Sequence, residues 1–477
     1  MYHDAMTALL RIQIDRSAKA PLALQIHAAI RDAIREGQLA GGARLPSWRD
    51  LAAQLGVARG TVRAAYERLI DEQWILSQGA AGTRVAEGMS VLTATEQPKE
   101  RPPFPELFPD FENAPLAFQM GVPAQDAFPS TLWSRVMVRA ARKAAVAPVG
   151  YPDPRGHPDL RREIAAYLAI ARGIRCAPAQ ILVTNGFAGS LGLIIRALRL
   201  EGSSAWFEEP GFPLTRSALQ LAGMATIPVP VDSEGLSVSE GTRRAAKAAL
   251  AVVTPGQQAP LGVTLSLARR LALLDWARQA GAWIVEDDYL SELQLTGRAA
   301  PALASLDQDG RVLHAGSFSK TISPALRLGF LVVPAAIAET FGIIATCLGP
   351  APSTPVQHAV ASFLSEGHYL RHLRRMKRLY SARRELLLQQ LQATAKGAFP
   401  IHATGGLSVR MELPAGTDDV DIALRALPFG LAPVPLSPWY AEPPERRGLL
   451  LGFTNLAERR IAADCARLIE LVRLDAR

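Results

Sequence analysis

The chain has 477 residues, enough for two or three folded units, and its 49% hydrophobic and 20% charged residues are typical of a globular protein with a sizeable core. Cys176, Cys347 and Cys465 are far apart and form no CxxC pair, so we expect a reduced, cytoplasmic protein without a metal site. We expect neither a signal peptide nor a membrane span, because no basic start precedes an apolar run and no apolar stretch approaches roughly 20 residues. The net charge of +8 permits nucleic-acid binding without establishing it.

Three compositional zones predict the domain organisation. Residues 10–87 have helical periodicity and end in a Gly-rich turn, which predicts a small helical domain with a wing. Residues 88–115 contain repeated prolines and no clean apolar period, so we expect a linker there. Over residues 116–477, apolar runs such as ILVTNG and AWIVEDD alternate with amphipathic stretches such as LSLARRLALLDWARQAG, which predicts an α/β domain with a mostly parallel sheet.

The first zone has the pattern of a helix-turn-helix. Ile26, Ile30 and Ile34 recur every four residues, which predicts one apolar face of a helix over residues 21–36. In LPSWRDLAAQLG, Ser47 precedes an acid by three residues, so we expect a helix to begin there with a capping box and to end at Gly56. A second helix follows in ARGTVRAAYERLIDEQ, with a predicted buried face of Val62, Ala65, Tyr66 and Leu69.

The second of these helices carries the candidate DNA-reading residues. Arg59, Thr61 and Arg63 lie near its N-terminus, where a recognition helix meets base edges. The following WILSQGAAGTRVAE predicts two short strands around residues 79–82, which would form a wing. A small helical cap with a solvated basic face is the alternative interpretation of such a pattern.

The whole string LPSWRDLAAQLGVARGTVRAAYERLIDEQWILSQGAAGTRV closely resembles the GntR family of winged-helix regulators. Two positions depart from the family pattern: Ala58 replaces a Ser or Thr, and Gln73 replaces the Gly before Trp74. The resemblance implies a set of DNA-facing residues, namely Arg44, Ser47, Arg49, Arg59, Gly60, Thr61, Arg63, Gln78 and Gly79.

In the third zone, SFSK places Lys320 just after an apolar strand. A lysine amine forms an imine with an aldehyde, and the bracketing Ser317 and Ser319 suit an anionic phosphate, although a lone lysine is usually a surface charge. Upstream, WIVEDDYLSEL ends a strand in acids at the edge where parallel sheets bind ligands. Asp287 is our candidate partner for a cationic ring nitrogen, with Tyr289 as a hydrogen-bond donor to the ring oxygen.

Three further motifs contain residues that could bind a phosphate or contact a cofactor ring. LVTNGFAGSLGLIIRALRL predicts a strand, a Gly turn and a helix whose first N–H groups, at Gly186, Phe187 and Ala188, suit a phosphate. Phe212 in EEPGF is a candidate to stack on a cofactor ring, and Arg327 in SPALRLG can pair with a phosphate.

This ordered set resembles the fold-type-I aminotransferases, and joined to a GntR-type head it looks like the MocR/GabR subfamily of regulators. The resemblance implies a fold-type-I pyridoxal-phosphate transferase domain with a small C-terminal α+β subdomain. Lys320 would carry the internal aldimine, and Tyr151 would reach the partner subunit's phosphate in a homodimer. The loop TPGQQAPLG departs from the family at Gln257 and Ala259, and Gln258 is included among the cofactor contacts only by its position.

The arginine that forks a substrate carboxylate in true aminotransferases is absent, because Leu450 in GLLLGFTNL occupies its place. Arg216 is our candidate effector contact, and Arg410, Arg446 and Arg447 are further substitutes. We therefore predict a homodimeric, pyridoxal-phosphate-dependent transcription regulator that binds operator DNA and senses a small amine or the vitamer itself. A working aminotransferase with an accessory head and a regulator that has lost the cofactor are the alternatives, and the sequence leaves the effector and the direction of regulation open.

One basic segment lies outside these motifs. We interpret HYLRHLRRMKRLYSARRELL, residues 368–387, as a helix with a solvated basic face, and a DNA-tracking surface is the alternative. Its predicted apolar stripe consists of Leu370, Leu373, Met376 and Leu379.

Overall fold

A computed structural model describes residues 12–79, 82–87, 115–146, 150–295, 297, 300–348, 352–403 and 405–475. The chain divides into two compact units, Met1–Pro105 and Glu106–Arg477. The predicted linker over residues 88–115 falls outside the described residues except for Pro115. No helix in the described part of the chain has the length and apolar character needed to span a bilayer.

The described residues of the first unit form three helices and a small antiparallel sheet with strand order β1-β3-β2. The predicted faces of the first and third helices are buried, because their apolar residues pack into one core. The hairpin of β2 and β3 confirms the predicted wing, whereas β1 was not predicted. The elements are α1 (Leu22–Arg35), β1 (Arg44–Leu45), α2 (Trp48–Leu55), α3 (Arg59–Asp71), β2 (Ile75–Ser77) and β3 (Thr83–Val85).

The caps of α2 follow the sequence prediction in part. The Ser47 side chain accepts a hydrogen bond from the backbone N–H of Asp50, and Gly56 ends the helix in the left-handed region with φ 61°. The return bond of a capping box is replaced, because Ser47 Oγ donates to Asp50 Oδ2 at 2.6 Å. Helix α3 begins without a side-chain cap, since the residue at its N-cap is Ala58.

The second unit is built on an eight-stranded sheet with order β4-β11-β10-β9-β8-β5-β6-β7. Strands β10, β9, β8, β5 and β6 run parallel, whereas β11 and β7 pair antiparallel with their neighbours. The strands are β4 (Ile181–Thr184), β5 (Ser204–Glu209), β6 (Ala225–Asp232), β7 (Gly235–Leu236), β8 (Leu250–Val253), β9 (Trp283–Asp288), β10 (Val312–Ser317) and β11 (Gly329–Val332).

Helices cover this sheet, so its central strands are largely buried, and β8 is apolar throughout. The helices are α4 (Ser130–Ala145), α5 (Pro158–Ala171), α6 (Gly186–Leu198), α7 (Pro213–Leu221), α8 (Val238–Ala245), α9 (Leu267–Ala280), α10 (Ala338–Leu348) and α11 (Thr354–Ser365). Because β5, β8, β9 and β10 are parallel, their carboxyl ends meet at one edge of the sheet, where ligands bind in such folds.

The C-terminal part is a four-stranded antiparallel sheet with order β12-β13-β15-β14, packed on three helices. Its elements are α12 (His368–Ala395), β12 (Ile401–His402), β13 (Ser408–Leu413), α13 (Asp419–Ala426), β14 (Val434–Pro435), β15 (Arg447–Gly452) and α14 (Ile461–Asp475). On β13, Val409, Met411 and Leu413 point into the helical core, which leaves Arg410 on the opposite face.

Helix α12 corrects the predicted apolar stripe. Leu373 and Met376 are buried, but Leu370 is exposed and Leu379 is only half-buried. A spacing of three residues drifts around a helix of 3.6 residues per turn, so the buried face instead includes Tyr369.

Candidate functional site

Lys320 lies three residues beyond the end of β10, and its Nζ donates a hydrogen bond to the carbonyl oxygen of Gly121 at 2.9 Å. Burial lowers the pKa of Lys320 below its ordinary value, an effect that the nearby carboxylate of Asp287 opposes. Gly121 has φ +85°, and a Cβ at this position would lie 2.8 Å from Nζ. The glycine therefore keeps open the space beside a lysine amine of lowered basicity.

Asp287 lies at the end of β9 among other carboxyl groups. Burial raises its pKa well above the ordinary value, and the charges of Asp288 and Glu208 add to that effect, while Lys320 opposes it. Asp288 is paired with Arg172 at 2.6 Å, and Lys320 is the cation that favours the ionised form of Asp287. A ligand that carries a cationic nitrogen would favour that form further, so the site fits a protonated pyridine ring.

Glu208, at the end of β5, is a buried site residue that the sequence analysis did not select. It accepts hydrogen bonds from the backbone N–H and the hydroxyl of Thr254, at 3.1 and 2.6 Å. Burial raises the pKa of Glu208 to about 7. The signal was available, because EEPGF places an acid at a strand end by the same rule that selected Asp287.

Gln258 and Tyr289 have partners within the protein. The Gln258 amide donates to Pro210 O and Ala259 O, both at 2.7 Å, and its oxygen accepts from the N–H of Leu261 at 3.1 Å. Gln258 therefore holds its own loop, and its inclusion among the cofactor contacts stays a prediction. Tyr289 Oη donates to the carbonyl oxygen of Gln257 at 3.1 Å, which fixes the ring in the site.

The predicted phosphate residues gather around the start of α6. Gly186 is its first residue, with φ +79°, and Phe187 and Ala188 follow in the first turn. Arg327 is exposed, and its guanidinium donates to the carbonyl oxygen of Asn185 at 3.2 Å. The first N–H groups of a helix beside a guanidinium are a suitable donor set for a phosphate.

Ser317 and Ser319 lie beside Lys320 at the carboxyl end of β10. The N–H of Ser319 donates to Ser317 Oγ at 3.2 Å, and both residues are half-buried. Together with the helix terminus, these hydroxyls complete a donor set that fits pyridoxal phosphate: a primary amine, a buried acid, a phenol and a phosphate pocket.

A separate apolar cluster includes Met120, the residue that precedes Gly121. Phe212 packs 5.6 Å from Trp439, measured between ring centroids, and Leu450 belongs to the same cluster. Arg216 donates to the carbonyl oxygen of Pro438 at 3.1 Å, but its Nη1 is buried without a hydrogen-bond partner among the described residues. Tyr151 is fully exposed in the single chain.

In the first unit, the candidate DNA-facing residues lie on or next to β1, α2, α3 and the wing. Arg59 and Arg63 lie on the first turns of α3, and Arg63 pairs with Glu67 at 2.7 Å. Thr61 is half-buried, whereas eight candidates are exposed: Arg44, Ser47, Arg49, Arg59, Gly60, Arg63, Gln78 and Gly79.

A cluster of potential metal ligands was not expected from the sequence. Ligand atoms of His157, Asp159 and His358 lie within 4.8 Å of one another. The carboxylate of Asp159 is already paired with Lys143 at 3.5 Å and with Arg162 at 2.8 Å, so its charge is compensated without an ion. The absence of a metal site stays a prediction.

Comparison with known proteins gives a separate family for each of the two units. Residues 22–85 match the gntR family of bacterial regulatory proteins, and residues 126–421 match aminotransferase class I and II. The probable rhizopine catabolism regulatory protein MocR of Rhizobium meliloti is 35% identical over 459 residues, which cover 93% of this chain and 92% of that protein. The HTH-type transcriptional regulator TauR of Rhodobacter capsulatus is 33% identical over 480 residues, covering 93% and 96%.

Among solved structures, the kynurenine aminotransferase of Pyrococcus horikoshii, in complex with PMP and KYN as substrates, has a TM-score of 0.69 at 25% identity. The match covers 77% of this chain and 93% of that one. The second unit therefore has the aminotransferase fold, as the sequence predicted.

Proposed function

Because this chain belongs to the MocR type of GntR-family regulators, we propose that it is a cytoplasmic, homodimeric transcription regulator that binds pyridoxal phosphate and senses a small amine or the vitamer itself. Its head, residues 22–85 of the first unit, is a DNA-binding domain of the gntR family. The observation that carries the proposal is the half-buried amine of Lys320, held by the carbonyl oxygen of Gly121, near the half-buried Asp287. Bound pyridoxal phosphate supplies an aldehyde that condenses reversibly with primary amines.

The residues of the second unit have distinct roles in this proposal. Lys320 provides the amine, and Asp287 holds a proton on the ring nitrogen because its surroundings favour a cationic partner. Tyr289 orients the ring, and Phe212 contacts its face. The phosphate is held by the first turn of α6 with Ser317, Ser319 and Arg327, and by Tyr151 of a second copy.

Sensing requires a difference between two states. An amine that bound in the place of Lys320 would leave the lysine amine free, and a free amine would change the charge and packing beside Gly121 and Asp287. A ligand shifts a conformational equilibrium only by its difference in affinity for the two states, so the change at Lys320 would link ligand binding to DNA binding. Arg216, whose Nη1 has no hydrogen-bond partner in the described part of the chain, contacts the effector.

The experiment combines spectroscopy and DNA binding on the full chain. We expect visible absorbance of bound pyridoxal phosphate that Lys320→Ala abolishes and the control Lys247→Ala, at an exposed lysine, preserves. A gel shift with the DNA upstream of the protein's own gene should be lost with Arg59→Ala plus Arg63→Ala. Arg68→Ala, near the other end of α3, should leave the shift in place.

Two outcomes would contradict the proposal. Rapid turnover of an amino donor with a keto acid, without any DNA shift, would favour the aminotransferase alternative. A protein that stays colourless with pyridoxal phosphate would favour a regulator that has lost the cofactor.

A further inference from the structure

We propose that helix α12 positions the amine of Lys320, through Tyr369 and His372, for condensation with the aldehyde of the cofactor. The inference rests on the proposed function, because it assumes that Lys320 binds pyridoxal phosphate. It depends on the contacts of α12 with the turn that carries the lysine, and on its contacts with the segment that accepts the hydrogen bond of the lysine amine.

The turn that carries Lys320 is closed by its own hydrogen bonds. The N–H groups of Ile322 and Ser323 both donate to the carbonyl oxygen of Phe318, at 2.8 and 3.2 Å. The hydroxyl of Thr321 donates to the same oxygen at 3.4 Å. Lys320 therefore lies inside a tight turn, and the position of this turn decides where the lysine side chain begins.

Two side chains of α12 contact this turn at a single residue. Tyr369 Oη donates to Thr321 Oγ1 at 3.2 Å, and His372 Nε2 lies 2.8 Å from the carbonyl oxygen of Thr321. Because a carbonyl oxygen only accepts hydrogen bonds, Nε2 of His372 is the donor. Residues three apart on a helix share one face, so Tyr369 and His372 hold Thr321 together. Thr321 is the immediate chain neighbour of Lys320.

These contacts are buried, and both side chains are in the form that donates. Tyr369 is fully buried, and Thr321 and His372 are 1% and 6% exposed. Burial raises the pKa of Tyr369 well above its ordinary value and lowers the pKa of His372, so the phenol keeps its proton and the imidazole is neutral near pH 7. The Tyr369 ring also meets the Phe318 ring edge-on, with centroids 5.8 Å apart. A buried donor that loses its acceptor is costly, so movement of the turn away from α12 is opposed.

The same helix holds the residues that follow the acceptor of the lysine amine. Lys320 Nζ donates to the carbonyl oxygen of Gly121, and the N–H of Ala124, just downstream, donates to Tyr380 Oη at 2.9 Å. Tyr369 and Tyr380 both lie on α12, roughly three turns apart. One helix thus fixes both the turn that presents the amine and the segment that accepts its hydrogen bond.

This arrangement matters for a ligand that bonds to the lysine. Condensation of a lysine amine with an aldehyde forms a C=N bond and releases one molecule of water. An amine whose position is already restricted by the fold loses less freedom when that bond forms. A ligand with the same ring and phosphate but no aldehyde does not form the bond, so it distinguishes positioning of the lysine from support of the whole site.

The test uses the full-length protein without cofactor and two probes, pyridoxal phosphate and pyridoxamine phosphate. The second probe carries an amine in place of the aldehyde and cannot bond to Lys320. Dissociation constants are measured by visible absorbance for the first probe and by calorimetry for the second. Tyr369→Phe and Thr321→Val should each raise the constant for pyridoxal phosphate by about two-fold to ten-fold, the range for loss of one hydrogen bond. The constant for pyridoxamine phosphate should stay within about two-fold of the wild-type value.

Conservative variants and a matched control separate positioning from packing. Thr321→Ser keeps the hydroxyl and His372→Gln keeps an N–H donor. Both should bind pyridoxal phosphate more tightly than Thr321→Val and His372→Leu, respectively. Thr394→Val removes a hydroxyl at the far end of α12 that donates to the carbonyl oxygen of Gln390 at 2.7 Å, and it should leave both constants unchanged.

The outcomes distinguish this inference from the proposed function. If Tyr369→Phe and Thr321→Val weaken both probes equally, or weaken neither, α12 does not position the lysine and the inference is refuted while cofactor binding stands. If the wild type stays colourless with pyridoxal phosphate, or Lys320→Ala binds it as tightly as the wild type, the proposed function fails and this inference fails with it.

Discussion

Glu208 and Thr254 are joined twice at the floor of the site, since both the backbone N–H and the hydroxyl of Thr254 donate to the Glu208 carboxyl group, at 3.1 and 2.6 Å. These two bonds favour the ionised form, but burial outweighs them and raises the pKa of Glu208 to about 7. The pair connects β5 with the end of β8, which positions the loop that holds Tyr289.

The raised pKa of Glu208 predicts a pH dependence of stability. Between about pH 4.5 and 7 the folded state binds a proton at Glu208 that the unfolded state has lost, so this group's contribution to stability falls as pH rises through that window. The full change is of order 3 kcal/mol, from the size of the shift. Glu208→Gln should remove this slope, so its melting temperature relative to wild type should rise from pH 5 to pH 8.

The control for this variant is Glu201→Gln, an exposed acid paired with Arg196. It should show no comparable change between the two pH values. A melting difference for Glu208→Gln that is constant with pH would contradict the predicted protonation.

A second prediction concerns the ion pair of Arg172 and Asp288, which lie 2.6 Å apart with side chains 3% and 5% exposed. Arg172→Leu leaves a buried carboxylate without its cation, so we expect a loss of about 3–5 kcal/mol in the free energy of unfolding. The matched control is Arg196→Leu, which breaks a surface pair with side chains 63% and 37% exposed and should cost at most about 1 kcal/mol. Urea titration of both variants checks the difference, and equal losses would contradict it.

The sequence predicted those features that depend on neighbouring residues. The buried faces of α1 and α3 follow from helical spacing. The positions of Lys320 and Asp287 at the edge of the sheet follow because each residue lies at or just beyond the end of an apolar strand. Strand ends are local features of the chain, and a parallel sheet brings them to one edge without further information.

The remaining features depend on partners that are distant in sequence. The pairing of Arg410 with Leu450 is set by the register of β13 and β15, which no local pattern specifies. Glu412 is shared by His402, Arg410 and Arg446, and His157 meets His358; these contacts also depend on how distant segments pack together. Leu370 failed as a core residue for a different reason, because equal spacing of three does not follow the helical period.

Gln73 gives a third prediction, because it stands where the GntR pattern has glycine and adopts φ 62°. The left-handed region costs a side-chain-bearing residue about 1–2 kcal/mol, while glycine loses about 0.5–1 kcal/mol more entropy on folding. Gln73→Gly should therefore stabilise the head by up to about 1 kcal/mol. Gln54→Gly, inside α2, should instead destabilise it by about 1 kcal/mol. Hydrogen exchange of the α3 amides in the full chain measures both effects. Destabilisation by Gln73→Gly would contradict the proposed backbone strain at Gln73.

The last prediction tests the space beside Lys320. Gly121→Ala introduces a Cβ 2.8 Å from Lys320 Nζ at a residue with φ +85°, so it should both strain the backbone and displace the amine. Gly223→Ala has a similar strain, with φ +76°, but its Cβ would meet nothing within 4 Å. We expect both variants to lose a comparable amount of stability and only Gly121→Ala to lose affinity for pyridoxal phosphate, measured by visible absorbance. Equal retention of the cofactor by the two variants would show that the amine does not need this space, because backbone strain alone would then explain the effect of either alanine.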